Sequence, residues 1–148
     1  MTLGSLFDGI AGFPLAAERQ GIKTIWTSEI EANCTDIAKR HFPDAENLGD
    51  ITKINGGNIP AVDIISFGSP CQDLSVAGEQ KGLDGARSGL FMEAVRIVRE
   101  MRKKTNGQYP KYIIWENVAG AFSSNKGEDF RRVLEEITET NISMPKSG

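Results

Sequence analysis

Short apolar runs alternate along this chain with longer stretches of helical periodicity, and this order restricts the fold more than any other feature. Strands that alternate with helices are typical of an α/β fold built on a parallel sheet. Ligands of such sheets bind beyond the carboxyl ends of the strands, so the residues that follow each run form the candidate site. The predicted strands are residues 2–7, 22–28, 47–51, 62–67 and 112–115, and the predicted helices are residues 13–20, 31–41, 90–104 and 128–138.

Size and composition narrow the class of protein. With 148 residues, of which 39% are hydrophobic and 25% charged, the chain is typical of one globular domain and not of a disordered or fibrous protein. The formal net charge of −3 gives no overall basic field for nucleic acid, so such binding must be local or supplied elsewhere. No apolar run is long enough to span a membrane. One histidine with Cys34 and Cys71 gives fewer than the four ligands of a structural zinc site, so we expect no metal. The two cysteines and the absence of a signal-like amino terminus predict a reduced, cytoplasmic protein.

The third predicted helix has a basic side. Its apolar residues recur at helical spacing, which predicts that one side packs on the core. Arg96, Arg99, Arg102 and Lys103 lie around the other side, and we expect that side to be solvated.

The first three strand ends carry glycines and acids that fit an adenosine-containing ligand. Gly9 and Gly12 permit a tight turn close to a ligand, although an ordinary turn is an equally good interpretation. Their spacing lacks the G-x-G-x-x-G pattern, which disfavours a nicotinamide or flavin enzyme. Glu29 ends the second strand 20 residues after Gly9, where a carboxylate accepts hydrogen bonds from ribose hydroxyls. Asp50 and Ile51 follow the third run, where a carboxylate binds an adenine amino group and an aliphatic side chain covers the ring.

The fourth and fifth strand ends carry groups for nucleophilic and acid–base chemistry. The fourth run is followed by Gly-Ser-Pro-Cys-Gln, so Cys71 stands after a proline at the edge of the sheet, which is the position of a nucleophile. Cys34 lies in a predicted helix and fits the commoner role of a small buried apolar residue. Glu116 follows the fifth run, where partial desolvation beside Cys71 would raise its proton affinity and let it protonate a substrate. Asn117 can fix Glu116 or the loop, or cap a helix.

Taken in order, the segments FDGIAGF, SEI, GDI, GSPCQDLS, RSGLF and ENV resemble the successive motifs of the cytosine-5 DNA methyltransferases. The likeness extends from Leu3 to about Ile137, and the Asn/Asp-Pro-Pro-aromatic motif of enzymes that methylate amino nitrogens is absent. The resemblance implies the Rossmann-like fold of S-adenosylmethionine-dependent methyltransferases, with a parallel sheet in the order 3-2-1-4-5. It also implies methyl transfer from S-adenosylmethionine to carbon 5 of cytosine in double-stranded DNA through a covalent cysteine adduct, in a bacterial or phage restriction-modification system.

The resemblance assigns roles to single residues. It implies that Cys71 is the nucleophile and that Glu116 contacts a cytosine ring nitrogen. Asp8, within the first turn, is expected to face solvent. The implied catalytic and substrate-contacting residues are Cys71, Glu116, Gln72, Arg87, Ser75 and Asn117. The implied cofactor-binding residues are Phe7, Gly9, Ile10, Gly12, Glu29, Ile30, Asp50, Ile51, Pro70 and Leu90.

The sequence departs from the family after the fifth strand. It has no Gln-Arg-Arg-Arg-like segment and no variable target-recognition domain, so we expect residues 1–140 to be part of the cofactor-binding and catalytic domain. Residues 141–148 are expected to be a disordered tail, and we expect little or no turnover by this chain alone. The sheet is expected to be incomplete at the fifth strand, residues 112–115, and to self-associate there.

Two alternatives to a DNA methyltransferase stay open. A related branch of the family methylates transfer RNA, and methyl transfer to duplex DNA compared with RNA separates the two substrates. The other alternative is a remnant that binds cofactor or protein without catalysis, or one half of a split enzyme. Methylation of DNA by the chain alone, lost on Cys71→Ala, would exclude that second alternative.

Overall fold

A parallel sheet forms the centre of the molecule. The structure is a computed structural model that describes residues 1–68 and 89–144. The strands are β1 (Thr2–Leu6), β2 (Lys23–Ser28), β3 (Glu46–Asn47), β4 (Ile64–Phe67) and β5 (Tyr112–Trp115). The helices are α1 (Gly12–Glu18), α2 (Ala32–His41), α3 (Gly89–Lys104), α4 (Gly120–Ser123) and α5 (Glu128–Thr138), with 3-10 turns at Ile51–Lys53 and Ser124–Gly127. Within the described ranges all strand pairs are parallel and their order is β3-β2-β1-β4-β5, which confirms the predicted α/β fold and strand order.

The third predicted strand is the one that differs most from the structure. The sequence predicts residues 47–51, but β3 contains only Glu46 and Asn47. Gly49 has a φ of 71°, which ends the extended conformation. The Asp50 side chain then accepts a hydrogen bond from the backbone N–H of Thr52 at 3.0 Å and caps the 3-10 turn that follows. Local side-chain bonding therefore replaces the strand that the apolar pattern predicted.

The buried apolar side chains form two cores, one on each face of the sheet. Trp26 belongs to the larger core. Its side chain is fully buried, and Nε1 donates a hydrogen bond to the carbonyl oxygen of Pro60 at 2.9 Å. The indole lies directly against Gly4 of the neighbouring strand, where a Cβ would overlap the ring. Because side chains alternate along a strand, Leu6 shares this face with Gly4, while Leu3 packs on the opposite face. Helices α3 and α5 cover the first face, and α1 covers the second.

The arginines of α3 bind neighbouring elements, so the expectation that this basic side is solvated is wrong for them. Arg99 Nη2 donates to a carboxylate oxygen of Glu136 at 2.9 Å, and Arg102 Nη1 donates to the carbonyl oxygen of Ile137 at 2.9 Å. Both partners lie on α5, so these bonds tie two helices together on one face of the sheet. A guanidinium presents several fixed N–H donors, which lets it satisfy carboxylates and helix-end carbonyls at once. Lys103 is exposed, as expected.

Strand β5 forms an edge of the sheet. Within the described residues it pairs only with β4, as the sequence predicts. Its Tyr112 and Ile114 side chains are 57% and 45% exposed, while Ile113 and Trp115 pack toward α3. An edge of this kind favours pairing with another chain, and self-association stays a prediction.

The described chain ends shortly after α5. Residues 141–144 have no regular secondary structure, and residues 145–148, the rest of the predicted tail, lie outside the described ranges. The domain division at residue 140 stays a prediction. In the part of the chain that the structure describes, no helix is long and apolar enough to cross a membrane.

Replacing Gly4 by alanine is expected to lower the free energy of unfolding by about 1–3 kcal/mol, because the added methyl group overlaps the buried Trp26 ring. Urea unfolding followed by circular dichroism measures the change. Gly120→Ala is the matched control, since a Cβ at Gly120 meets no described atom within 4 Å. Equal unfolding free energies for the two variants would contradict the close contact.

Candidate active site

The carboxylate of Glu29 joins the ends of β1 and β2. Its Oε2 accepts a hydrogen bond from the backbone N–H of Gly9 at 2.8 Å. Its Oε1 accepts from the N–H groups of Ile30 and Glu31 at 2.8 and 2.9 Å. A carboxylate has about four acceptor positions, so about one position on Oε2 stays free for a ligand. The structure thus brings together two features that the sequence singled out separately, the glycine turn and the acid.

Asn47 attaches the third strand end to the second. Its Oδ1 accepts from the N–H of Glu29 at 3.2 Å and from that of Gly49 at 3.1 Å, and its Nδ2 donates to the carbonyl oxygen of Glu29 at 3.1 Å. The hydroxyl of Ser28 donates to the carbonyl oxygen of Gly49 at 2.7 Å. Neither Asn47 nor Ser28 was predicted from the sequence to belong to the site. Their signal is a polar side chain at the last position of a strand, where a neighbouring loop has unpaired backbone groups.

Two apolar side chains beside this junction are open to solvent. Ile10 is 65% exposed and Ile30 is 70% exposed. Gly9, with a φ of 57°, and Gly12 have no described atom within 4 Å of the place where a Cβ would stand. Exposed aliphatic groups and open backbone next to a carboxylate form a surface that can accept a ring and a sugar.

Other predicted cofactor residues belong mainly to the core. Ile51 is 5% exposed, and Phe7 and Leu90 are partly buried against the larger core.

Asp50 Oδ1 accepts from both the N–H and the hydroxyl of Thr52, at 3.0 and 2.8 Å, and these bonds lower the pKa of Asp50. Asp50 is therefore ionised at neutral pH and acts as an acceptor. That these residues contact a cofactor stays a prediction.

Asp8 is buried, so the expectation that it faces solvent is wrong. It is 5% exposed, and neither carboxyl oxygen has a hydrogen-bond partner among the described residues. Burial raises the pKa of Asp8 from 3.8 to about 6. The nearby Ser5 hydroxyl lowers this pKa without forming a hydrogen bond of normal geometry, and the negative charge of Glu29 raises it further. A left-handed turn at Phe7, with a φ of 53°, precedes the residue.

Glu116 lies over the end of β4. Its backbone N–H donates to the carbonyl oxygen of Phe67 at 3.0 Å, and a Cβ built on Gly68 would stand 2.6 Å from Glu116 Oε2. The carboxylate therefore lies directly over the backbone of Gly68, and a side chain at position 68 would move it aside. The Glu116 side chain is exposed among the described residues, and Asn117 Oδ1 accepts from the N–H of Val118 at 2.8 Å, which favours its role in fixing the loop. Their contacts with substrate stay predictions.

Part of the predicted site lies outside the described residues. Cys34, in contrast, is described and is half-buried on α2. Across residues 1–68 and 89–144, no three histidine, cysteine or acidic side chains gather as metal ligands. The predicted residues outside the described ranges are Pro70, Cys71, Gln72, Ser75 and Arg87.

Comparison with known proteins decides the family. The family profile described as C-5 cytosine-specific DNA methylase matches residues 1–144. The chain belongs to this family. It is 34% identical over 139 residues to the type II methyltransferase M.HhaI of Haemophilus parahaemolyticus, covering 94% of this chain and 40% of that protein. It is 38% identical over 140 residues to the type II methyltransferase M1.ScrFI of Lactococcus lactis subsp. cremoris, covering 94% of this chain and 34% of that protein.

The fold agrees with this membership. The crystal structure of the S. pombe Dnmt2 methyltransferase matches with a TM-score of 0.66 and 21% identity, over 91% of this chain and 41% of that one. At this identity the likeness shows the fold alone. This methylase chain spans less than half the length of each of these three proteins.

The buried Asp8 carboxyl is expected to make the stability of this methylase chain depend on pH. The folded chain binds the Asp8 proton more tightly than the unfolded chain does. The protonated Asp8 therefore contributes to the stability of the fold below about pH 4, and this contribution is lost as the pH rises through about 6. The change in pKa from 3.8 to about 6 corresponds to about 3 kcal/mol. Asp8→Asn cannot ionise, so it should gain stability relative to the wild type between about pH 4 and 7.

Urea unfolding at several pH values measures this difference. Asp44→Asn, which changes an exposed carboxylate, is the control and should follow the wild-type pH profile. A difference between Asp8→Asn and the wild type that stays constant over this pH range would show that Asp8 does not titrate as the structure predicts.

Proposed function

We propose that this chain is the S-adenosylmethionine-binding and catalytic part of an enzyme that methylates carbon 5 of cytosine in double-stranded DNA. It would act in the cytoplasm, within a bacterial or phage restriction-modification system. The observation that carries the proposal is the hydrogen bond between Glu29 and Gly9, which joins the glycine turn to an acid at the predicted ribose position. Family membership supports the reaction, and the alternating sheet supports a ligand site at this edge.

The residues at the edge fit the cofactor. The free acceptor position on Glu29 Oε2 suits a ribose hydroxyl, and the exposed Ile30 side chain suits one face of the adenine ring. Asp50, ionised and partly exposed, suits the adenine amino group as a hydrogen-bond acceptor. S-adenosylmethionine, when bound, supplies a methyl group on a positively charged sulfur.

The proposed chemistry begins with the cysteine. Carbon 5 of cytosine is a poor nucleophile, so the Cys71 thiolate adds to carbon 6 and the electron pair of the 5,6 double bond moves to carbon 5. Protonation of ring nitrogen 3 by Glu116 draws electrons into the ring and makes this addition easier. After methylation, the carbon 5 proton passes to water, the double bond forms again as Cys71 leaves as a thiolate, and the proton on ring nitrogen 3 returns to Glu116. Carbon 6 lies inside the base stack, so the nucleotide must first be flipped out of the duplex.

Glu29→Ala is expected to weaken binding of S-adenosylmethionine at least about tenfold, because the variant loses a charge-assisted hydrogen bond to the ribose and the support of the Gly9 turn. Isothermal titration calorimetry measures the dissociation constant. Glu31→Ala is the control, since Glu31 is exposed and only its backbone N–H joins the cluster. Equal affinities for both variants, with melting temperatures like that of the wild type, would contradict the ribose role of Glu29.

Cys71→Ala is expected to abolish labelled methyl transfer to duplex DNA by the protein that contains this chain, because no thiolate remains to add to carbon 6. Cys34→Ala is the control and should keep the wild-type rate, since Cys34 is a half-buried residue of α2 and is not one of the proposed site residues. The same assay with transfer RNA tests the other substrate. Methylation of RNA but not DNA would overturn the DNA substrate, and a fully active Cys71→Ala variant would overturn the mechanism.

A further inference from the structure

Arg96 of α3 binds the backbone of the turn that carries Asp50. Its Nη1 donates to the carbonyl oxygen of Ile54 at 2.7 Å, and its Nη2 donates to that of Ile51 at 3.2 Å. One guanidinium therefore holds both ends of the 3-10 turn, whose N-cap residue is Asp50. Because the guanidinium is planar and rigid, two such bonds fix the orientation of the turn as well as its position.

Acidic residues of α3 hold the guanidinium and a second point of the same segment. Arg96 Nε donates to Glu93 at 2.9 Å, and Nη1 donates to Glu100 at 3.0 Å. Glu100 also accepts from the N–H of Gly56 at 2.6 Å. Gly56 lies against the carbonyl of Ile97 so closely that no Cβ fits between them. The segment from the 3-10 turn to Gly56 is thus fastened to α3 by side chains that also bind each other.

The sheet supports this segment by apolar packing of Ile51 and Ile54 and by few hydrogen bonds. Strand β3 has two residues, which pair with Trp26 and Thr27, and it ends before Asp50. The polar bonds from the sheet reach only as far as Gly49. From Asp50 to Ile54, the hydrogen bonds that connect the turn to other described elements are those of Arg96. The buried Ile51 and Ile54 side chains anchor the turn in the core, and the hydrogen bonds that orient its backbone come from Arg96.

We propose that Arg96 is a positioning residue for adenine recognition, because it fixes the turn that presents the Asp50 carboxylate. The inference rests on the proposed cofactor site. Asp50 Oδ1 is occupied by Thr52, while Oδ2 has the highly exposed ammonium of Lys53 at 3.6 Å and can accept from an adenine amino group. Arg96 acts through Asp50 and does not itself touch the ligand.

Arg99 provides a matched comparison on the same helix. The Arg96 and Arg99 side chains are 32% and 38% exposed, and each binds two carboxylates. Arg99 also donates to a backbone carbonyl, but that carbonyl belongs to Glu136 on α5. Removing either arginine therefore takes away similar interactions, and only Arg96 is connected to the turn at Asp50.

The experiment measures how well this chain distinguishes adenine from hypoxanthine. S-inosylhomocysteine carries a carbonyl where S-adenosylhomocysteine carries the amino group. It therefore lacks the amino N–H from which Asp50 would accept a hydrogen bond. Calorimetry gives both affinities for the wild type, Arg96→Gln and Arg99→Gln. We expect at least tenfold preference for the adenosyl ligand in the wild type and in Arg99→Gln, and less than threefold preference in Arg96→Gln. Amide hydrogen exchange at residues 52–54 should be faster in Arg96→Gln than in Arg99→Gln.

Each outcome separates the inference from the proposed function. If the wild type binds neither ligand, the proposed cofactor site fails and this inference fails with it. If the wild type prefers the adenosyl ligand and Arg96→Gln keeps that preference, the inference alone is overturned. If Arg96→Gln does not fold, Arg96→Lys replaces it in the same comparison, since one ammonium does not reproduce the two-point attachment. A role in stability alone would lower the melting temperatures of both variants and leave the ligand preference unchanged.

Discussion

The close packing of Trp26 against Gly4 is the constraint on which the rest of the structure depends. It brings β1 and β2 together in the centre of the sheet, with Leu6 and Ser28 in register at their carboxyl ends. The turn at Gly9 and the side chain of Glu29 therefore emerge next to each other. A larger residue in place of Gly4 would displace the Trp26 ring from the core between these strands. The geometry of the site thus begins in a buried contact that no ligand touches.

Short-range apolar patterns predicted the strands and the residues that follow them, whereas the strand order was implied by the resemblance to the methyltransferase family. Apolar runs give the strands, and the connections of a parallel sheet bring their carboxyl ends to one edge. The sequence did not predict the bonds made by Asn47 and Arg96, whose partners are backbone carbonyls and N–H groups that no side-chain pattern marks. The length of β3 was wrong because the bond from Thr52 to Asp50 competes locally with strand pairing.

Two neighbouring carboxyl groups, those of Glu29 and Asp8, lie in very different environments. Glu29 accepts three backbone N–H groups, whereas Asp8 is buried without a hydrogen-bond partner among the described residues. Burial penalises the charged form of Asp8 and raises its pKa. The sequence places both acids near the glycine turn, but only the folded chain shows which one is supported. Glu116 adds a third case, since its exposed carboxylate lies over the backbone of Gly68.

The bond between Glu29 and Gly9 is made entirely by groups of the chain itself. The conformational entropy of the glycine turn is therefore lost when the protein folds and not when a ligand arrives. In such a preorganised site, less of the interaction energy is consumed by ordering the protein, and more of it appears as affinity. A group that binds at this edge would meet a turn whose conformation the chain's own hydrogen bond already sets.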